Sequence, residues 1–210
     1  MQKLKILLSW LLVAGGSYFV FSGAQEYFAA RNSQEQAAES WKSYTPAEAH
    51  EQDGRIVPPG TAGSSRIAAG EAFARLTIPR LHTVLYVVEG TNHRDLRRGP
   101  GHLEGSAFPG GKGNCVIAGH RDTHLRSLKD IQRGDRIELE TQDGDFVYRV
   151  SGISIVTPDN TDSLRPTEQP VLNLVTCYPF SYVGSAPKRF VVHAERVTSQ
   201  AAQGELPPGS

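Results

Sequence analysis

The chain has 210 residues, and its 22 basic and 22 acidic side chains cancel to a formal charge of zero. This length predicts one domain of ordinary size with appendages, and the neutral balance argues against a nucleic-acid-binding surface. The 21 glycines and 13 prolines favour many short strands and turns over long helices.

The N-terminus carries a long uncharged segment behind two lysines. Lys3 and Lys5 precede residues 6–25, a run long enough to cross a hydrocarbon core of about 30 Å as a helix. This charge pattern predicts a cytoplasmic N-terminus and an exported remainder. A cleaved signal peptide is the alternative, because residues 22–24 (SGA) have the small-residue pattern of a processing site. We expect residues 1–30 to form a single-pass membrane anchor.

Polar, irregular sequence flanks the central part of the chain. Residues 31–69 are predicted to be a flexible stalk, with a short helix at 33–39 and a spacer rich in proline, glycine and serine before the domain. Residues 199–210 end in PPGS and are predicted to be a disordered tail. The compact domain is therefore expected at residues 70–198.

Short strand patterns separated by turns fill this domain. Strands are predicted at 73–78, 84–88, 115–120, 135–141, 146–156, 171–178 and 189–197. Leu125, Leu128 and Ile131 have helical spacing and predict one short helix. Many short strands with brief helical insertions predict an all-β fold, a closed or nearly closed β-barrel.

Two of these strands end in residues that carry chemistry. The strand that ends near Cys177 stops at Pro179, which cannot donate a ladder hydrogen bond, so the thiol is expected at a strand tip. An earlier apolar strand ends in His120 in the same way. A thiol of ordinary pKa is mostly protonated at neutral pH, so a nucleophilic cysteine needs a neighbouring imidazole or cation. The pattern favours a thiol-based acyl-transfer site.

The last strand begins with the candidate cation. Phe190, Val192 and Ala194 form its apolar face, so Arg189 lies on the opposite face and Lys188 shares the apolar one. The guanidinium fork can hold a peptide carbonyl or a developing oxyanion. A solvated surface arginine is the alternative reading of this position.

The second cysteine is predicted to be a buried core thiol. If the two strand tips lie at one end, Cys115 is roughly 16 Å from Cys177, whereas a disulfide needs α-carbons within about 7 Å. His124 competes with His120 because it lies in the same loop. No metal-ligand spacing is present, so we expect no metal or other cofactor. The remaining histidines are interpreted as surface or loop groups: His50, His82, His93, His102 and His193.

Three motifs occur in the order of a known family. They are residues 117–123 (IAGHRDT), 174–180 (LVTCYPF) and 184–192 (GSAPKRFVV). These motifs resemble the signatures of sortases, specifically of class D, and the resemblance covers about residues 73–197. One position departs from the pattern, because the Thr-Leu-x-Thr-Cys signature of the family begins here with Asn173.

The resemblance implies an eight-stranded sortase β-barrel and a membrane-anchored cysteine transpeptidase. Such enzymes cut a C-terminal Leu-Pro-x-Thr-Gly-like sorting signal of exported proteins after the threonine. They transfer the protein to an amine, such as a peptidoglycan precursor or a pilin lysine. By position, Cys177 would be the nucleophile, His120 the general acid and base, and Arg189 the group that steadies substrate and oxyanion. Ala118 and Thr176 would line the substrate groove.

Two alternatives remain open at this point. A hydrolytic cysteine peptidase would use the same residues, with water in place of the acceptor amine. A tethered β-barrel that only binds a partner would carry an inert cysteine, and substitution of Cys177 would then leave its function intact.

Overall fold

The computed structural model describes residues 2–43, 67–181 and 184–197. Within them lie one α-helix, eight β-strands and three short 3₁₀ turns, the latter at Pro79–Leu81, Arg126–Asp130 and Asp162–Leu164. The helix and strands are α1 Gln2–Ser43, β1 Ala72–Ile78, β2 Thr83–Glu89, β3 Gly101–His102, β4 Asn114–Gly119, β5 Arg136–Thr141, β6 Gly144–Val156, β7 Val171–Tyr178 and β8 Lys188–Arg196. Most of the predicted stalk (44–66) and the predicted tail lie outside the described residues.

The eight strands close into a barrel in the order β1-β2-β3-β4-β7-β8-β6-β5. Neighbours run antiparallel except in two pairs, β2 with β3 and β4 with β7. The prediction of a closed β-barrel is confirmed. The strand missing from the predicted set is β3, which has two residues and therefore cannot show the alternation by which strands are recognised.

Alternate residues of the longer strands, and of the first half of β6, fill the barrel interior, as β-strand geometry requires. Phe190, Val192 and Ala194 of β8 are 8%, 0% and 1% exposed, so the predicted apolar face of this strand is confirmed. Cys115 of β4 is also buried in this core, and burial raises the pKa of its thiol. Both cysteines are free thiols, so the prediction of a core thiol at Cys115 is confirmed as well.

The helix α1 is continuous over the predicted anchor and continues into the predicted stalk. Its end contacts the barrel through Gln34, which accepts a hydrogen bond from the backbone nitrogen of Tyr86 (2.8 Å) and donates one to the carbonyl of Arg98 (2.8 Å). These contacts, with good helix formers such as alanine, glutamate and glutamine, account for the extension. In the described part of the chain, no helix combines the length and apolar content needed to span a membrane.

A buried carboxylate joins the turn after β1 to the turn before β5. Arg80 donates two hydrogen bonds to Asp135, from Nε to Oδ1 (2.5 Å) and from Nη2 to Oδ2 (2.7 Å). The hydrogen bond from Arg80 is the main cause that lowers the pKa of Asp135. A carboxyl whose pKa is lowered on folding stabilises the fold above its ordinary pKa. That stability is lost as the pH falls through the lowered value.

We expect Asp135→Asn to lower the midpoint of thermal unfolding by several degrees at neutral pH. We also expect the midpoint of the variant to fall less steeply as the pH is lowered, because the variant lacks the Asp135 carboxyl that is protonated in the parent chain. Thermal unfolding from neutral pH to about pH 3 measures both effects. Asp145→Asn, at an exposed carboxyl of β6, is the control and should follow the parent chain. Parallel curves for Asp135→Asn and the parent would contradict the prediction.

Candidate active site

The parallel pairing of β4 with β7 brings two strand ends together. Gly119 pairs with Thr176, so the next residues, His120 and Cys177, leave the same end of the barrel. On the other side of β7, Cys177 lies directly opposite Arg189 of β8. Opposite residues of paired strands have β-carbons about 4.5–5.5 Å apart. The three candidate side chains therefore come from three adjacent strands.

A cleft of about 350 Å³ opens at this end of the barrel and contains all three candidates. Cys177 is partly exposed and lines this cleft. The lining comes from the ends of β4 and β7 and from the connection between β7 and β8. The lining residues are His120, Arg121, Asp122, Cys177, Gly184, Ser185, Ala186 and Arg189.

The guanidinium of Arg189 is held along its own strand. One nitrogen, Nη1, donates to the carbonyls of Ala186 (3.2 Å) and Lys188 (3.1 Å). Both bonds use the same nitrogen, so the rest of the donor fork can meet a substrate carbonyl or an oxyanion. Lys188 is exposed and is not among the cleft residues described here. This agrees with the predicted choice between the two neighbouring cations.

The backbone of His120 is fixed by the packing beneath it. A β-carbon at Gly119 would lie 2.8 Å from Cγ of Leu125, a fully buried side chain, so glycine is the residue that lets the loop fold back. The backbone nitrogen of Leu125 donates to the carbonyl of His120 (3.0 Å) and closes the turn. The ring of His93 lies edge-on to that of His120, with centroids 6.5 Å apart.

His124 is separated from the cleft by burial. It is 7% exposed, and burial lowers the pKa of its imidazole. Of the two competing histidines, His120 lines the described cleft and His124 does not. His120 is therefore the better candidate for proton transfer at Cys177.

Two other histidines are wrongly interpreted from sequence as surface or loop groups. His102 is fully buried, and its Nδ1 lies 2.8 Å from Oε2 of Glu89. His193 lies inside β8 and is half-buried, with Nδ1 2.7 Å from Oδ1 of Asn173. Their partners are remote in sequence, so local spacing could not reveal them. His50 lies outside the described residues.

The two predicted groove residues lie on opposite sides of the sheet. Ala118 is on the same face as His120 and is partly exposed. Thr176 is 2% exposed, and its hydroxyl donates to the carbonyl of Gly119 (2.7 Å). Since successive residues of a strand face opposite sides, an outward Cys177 requires an inward Thr176. Thr176 therefore lies in the barrel core beneath the cleft, where it links β7 to β4, and does not line the cleft.

We expect Thr176→Val to destabilise the barrel by about 1–3 kcal/mol, because the buried hydrogen bond between β7 and β4 is lost. Thermal unfolding measures the effect. Thr77→Val is a matched control, because the Thr77 hydroxyl is buried without a partner among the described residues. That change should leave stability equal or raise it. Equal destabilisation by the two variants would contradict the role given to the Thr176 hydroxyl.

One residue in the cleft has no counterpart in the predicted site. Arg121 is 9% exposed, and its Nη2 donates to the carbonyl of Gly184 (3.1 Å), which holds the β7–β8 connection over the cleft. Its position next to His120 is the sequence signal that could have found it.

Among the described residues, no group of three or more histidine, cysteine or acidic side chains is arranged to hold a metal. A thiol, an imidazole and a guanidinium in one cleft can together perform acyl transfer.

Comparison with known sequences gives a family. A family model described as the sortase domain matches residues 76–197. Sortase D of Bacillus subtilis (strain 168) is 42% identical over 130 residues, which cover 61% of this chain and 66% of that protein. Sortase A of Bacillus anthracis is 27% identical over 135 residues, 62% of each chain. The chain thus spans two thirds or less of the curated relatives named here.

Comparison with solved structures gives the same fold. A sortase D5 transpeptidase of Clostridium perfringens has a TM-score of 0.63 and 25% identity, over 81% of this chain and 99% of that one. Sortase C-1 of Actinomyces oris has a TM-score of 0.55 and 34% identity, over 60% and 73% of the two chains. With a family model that matches more than half of its length and a barrel shared with these structures, the chain belongs to the sortase family.

Proposed function

We propose that this chain is a cysteine transpeptidase that cleaves a Leu-Pro-x-Thr-Gly-like sorting signal after its threonine and transfers the upstream protein to an amine. The observation that carries the proposal is the meeting of Cys177, His120 and Arg189 in one cleft at the ends of adjacent strands. Membership of the sortase family supports the reaction class.

In the first half-reaction, the sulfur of Cys177 attacks the carbonyl carbon of the substrate threonine as a thiolate. A sulfur–carbon bond forms, and the carbonyl oxygen takes the negative charge of a tetrahedral intermediate. Arg189, opposite Cys177 across the two strands, stabilises this oxyanion. The carbon–nitrogen bond then breaks, and the leaving amine takes its proton from the imidazolium of His120. The product is a thioester on Cys177.

In the second half-reaction, an amine of the acceptor attacks the thioester carbonyl. His120, now neutral, accepts the proton that the attacking nitrogen must lose. The tetrahedral intermediate collapses with loss of the Cys177 thiolate, which restores the starting thiolate and imidazolium. The same imidazole thus serves as acid and then as base, and no proton is gained or lost over the cycle.

The proposed partners follow from this chemistry. The donors are exported proteins with a C-terminal sorting signal, and the acceptor is an amine such as a peptidoglycan precursor or a pilin lysine. We place the N-terminus in the cytoplasm and the barrel outside it, on the support of Lys3 and Lys5 ahead of the uncharged run. Protease added outside intact cells should then digest the barrel, and a barrel that stays protected would contradict this placement.

The test is intact-mass spectrometry of the purified chain with a library of sorting-signal peptides, with and without an added amine. We expect an acyl adduct on Cys177 that ends in threonine and disappears into an amide product when the amine is added. Release of free acid only, with no amine incorporated, would identify a hydrolytic peptidase instead. If no library peptide is cleaved or bound covalently, the barrel that only binds a partner is the better explanation.

A further inference from the structure

Two asparagines form a buried pair on the face of the barrel that carries Cys177. Asn114 begins β4 and Asn173 lies in β7, each an even number of residues before His120 and Cys177, so all four side chains share one face. Nδ2 of Asn173 donates to Oδ1 of Asn114 (2.7 Å). The two residues are 3% and 6% exposed. Buried amides of this kind need a partner for every polar atom.

The pair holds the long connection between β6 and β7. Nδ2 of Asn114 donates to the carbonyls of Ser163 (2.8 Å) and Arg165 (2.9 Å). Nδ2 of Asn173 also donates to the carbonyl of Ser163 (3.1 Å). Each amide hydrogen of the pair therefore has an acceptor. Two of these four bonds reach Ser163 in the turn Asp162–Leu164 and a third reaches Arg165 directly after it, so the pair fixes this turn onto the strands.

The network continues into β8 and β6. Nδ1 of His193 lies 2.7 Å from Oδ1 of Asn173, and Nε2 lies 2.8 Å from Oγ of Ser154. An amide oxygen can only accept, so Nδ1 carries the hydrogen and Nε2 accepts from the Ser154 hydroxyl. These contacts fix which way the Asn173 amide points, because its oxygen faces His193 and its nitrogen faces Asn114. A fully satisfied buried network of this kind is rigid.

The anchored connection runs away from the catalytic end. It leaves β6 at Val156, which pairs with Arg189, and enters β7 at Val171, which pairs with Asn114. Asn173 precedes Cys177 by four positions, roughly 13 Å at about 3.3 Å per residue. Between Asn173 and Cys177, this face carries Ala118 of β4 and Val175 of β7, which pair with each other. The anchored turn thus bounds this face at the end remote from the thiol.

We propose that Asn114 and Asn173 are positioning residues for the donor substrate. By holding the turn Asp162–Leu164 on the barrel, they fix the wall against which the residues upstream of the cut bond bind. The inference rests on the proposed function and adds to it the side chains that set donor affinity. It gives the departure at Asn173 a physical reason. A threonine hydroxyl has one hydrogen and cannot donate to both Asn114 and Ser163.

The test compares Asn173→Thr and Asn114→Ser with the parent chain. Asn173→Thr installs the residue of the sortase signature, and so is expected to fold. Loss of buried hydrogen bonds should raise hydrogen–deuterium exchange over residues 157–170 about tenfold. The KM for a donor peptide should rise about tenfold with kcat within about twofold, because the turn binds substrate and takes no part in the chemistry. Alkylation of Cys177 by iodoacetamide should keep its rate.

The matched control is Glu168→Gln in the same connection. Glu168 is paired with Lys112 (2.8 Å), but both side chains are largely exposed, so this ion pair contributes little. The control should leave exchange and KM unchanged. Unchanged exchange in Asn173→Thr would overturn the proposal, as would a fall in kcat at constant KM. Exchange needs no turnover, so it decides by itself whether the asparagines anchor the turn. If the parent chain cleaves no donor peptide, the proposed function fails and the donor role of the two asparagines fails with it, whereas unchanged exchange or unchanged KM in the variants of an active chain would overturn this inference alone.

Discussion

Cys177→Ala is expected to reduce cleavage of a donor peptide by at least about a thousandfold, because no other group in the cleft can form the thioester. Cys177 is the one cysteine that lines the described cleft. The measurement is kcat/KM for the peptide, together with the acyl adduct by mass spectrometry. Cys177→Ser should also be inactive, since a serine hydroxyl gives up its proton far less readily than a thiol and is the weaker nucleophile.

Cys115→Ala is the matched control for the nucleophile. Cys115 is 1% exposed in the core, and the raised pKa of its thiol keeps it protonated. We expect this variant to lose stability while its kcat/KM stays within about twofold of the parent. A thiol-reactive probe should label the native chain once, at Cys177. Activity in Cys177→Ala, or labelling at Cys115 of the folded chain, would contradict the assignment.

Arg189→Lys is expected to lower kcat/KM by about a hundred- to a thousandfold although the charge is kept. The ammonium of lysine is a point charge without the planar fork that holds a carbonyl oxygen in one place. Alkylation of Cys177 creates no oxyanion, so its rate should remain within about twofold of the parent. A loss of turnover with constant thiol reactivity would identify the oxyanion as the target of the guanidinium.

Lys188→Met is the control for the cation. Lys188 precedes Arg189 in β8, is exposed and pairs with Tyr178 of β7. Its side chain lies on the side of the sheet opposite to that of Arg189. Removal of its charge should leave kcat/KM within about twofold. A large loss in Lys188→Met with a small one in Arg189→Lys would reverse the assignment of the two cations.

The parts of this structure that follow from local patterns are those that sequence reasoning predicts well. Alternation along β8 predicts which side of the strand Arg189 occupies, because the period of a strand is a property of its own backbone. The ends of β4 and β7 predict the positions of His120 and Cys177 for the same reason. The prediction that the adjacent Thr176 lines the groove does not follow that alternation, and the structure places Thr176 in the core.

The parts that depend on distant pairing could not be predicted. The bond between Asn173 and Asn114 joins residues 59 positions apart, and it exists only because β4 and β7 are neighbours in the barrel. The burial of His102 depends likewise on β3, a strand of two residues that lies between β2 and β4. The sequence around the two asparagines, or around His102, contains no pattern that distinguishes these residues from surface groups.

The parallel register of β4 and β7 ties the chemistry to the fold itself. A slip of one residue between these strands would turn Cys177 into the core and bring Thr176 to the surface. The sulfur of Cys177 therefore leaves the cleft only when the hydrogen bonds between β4 and β7 break. For that reason, heating should remove catalysis and tertiary structure in a single transition, with no inactive yet folded form in between.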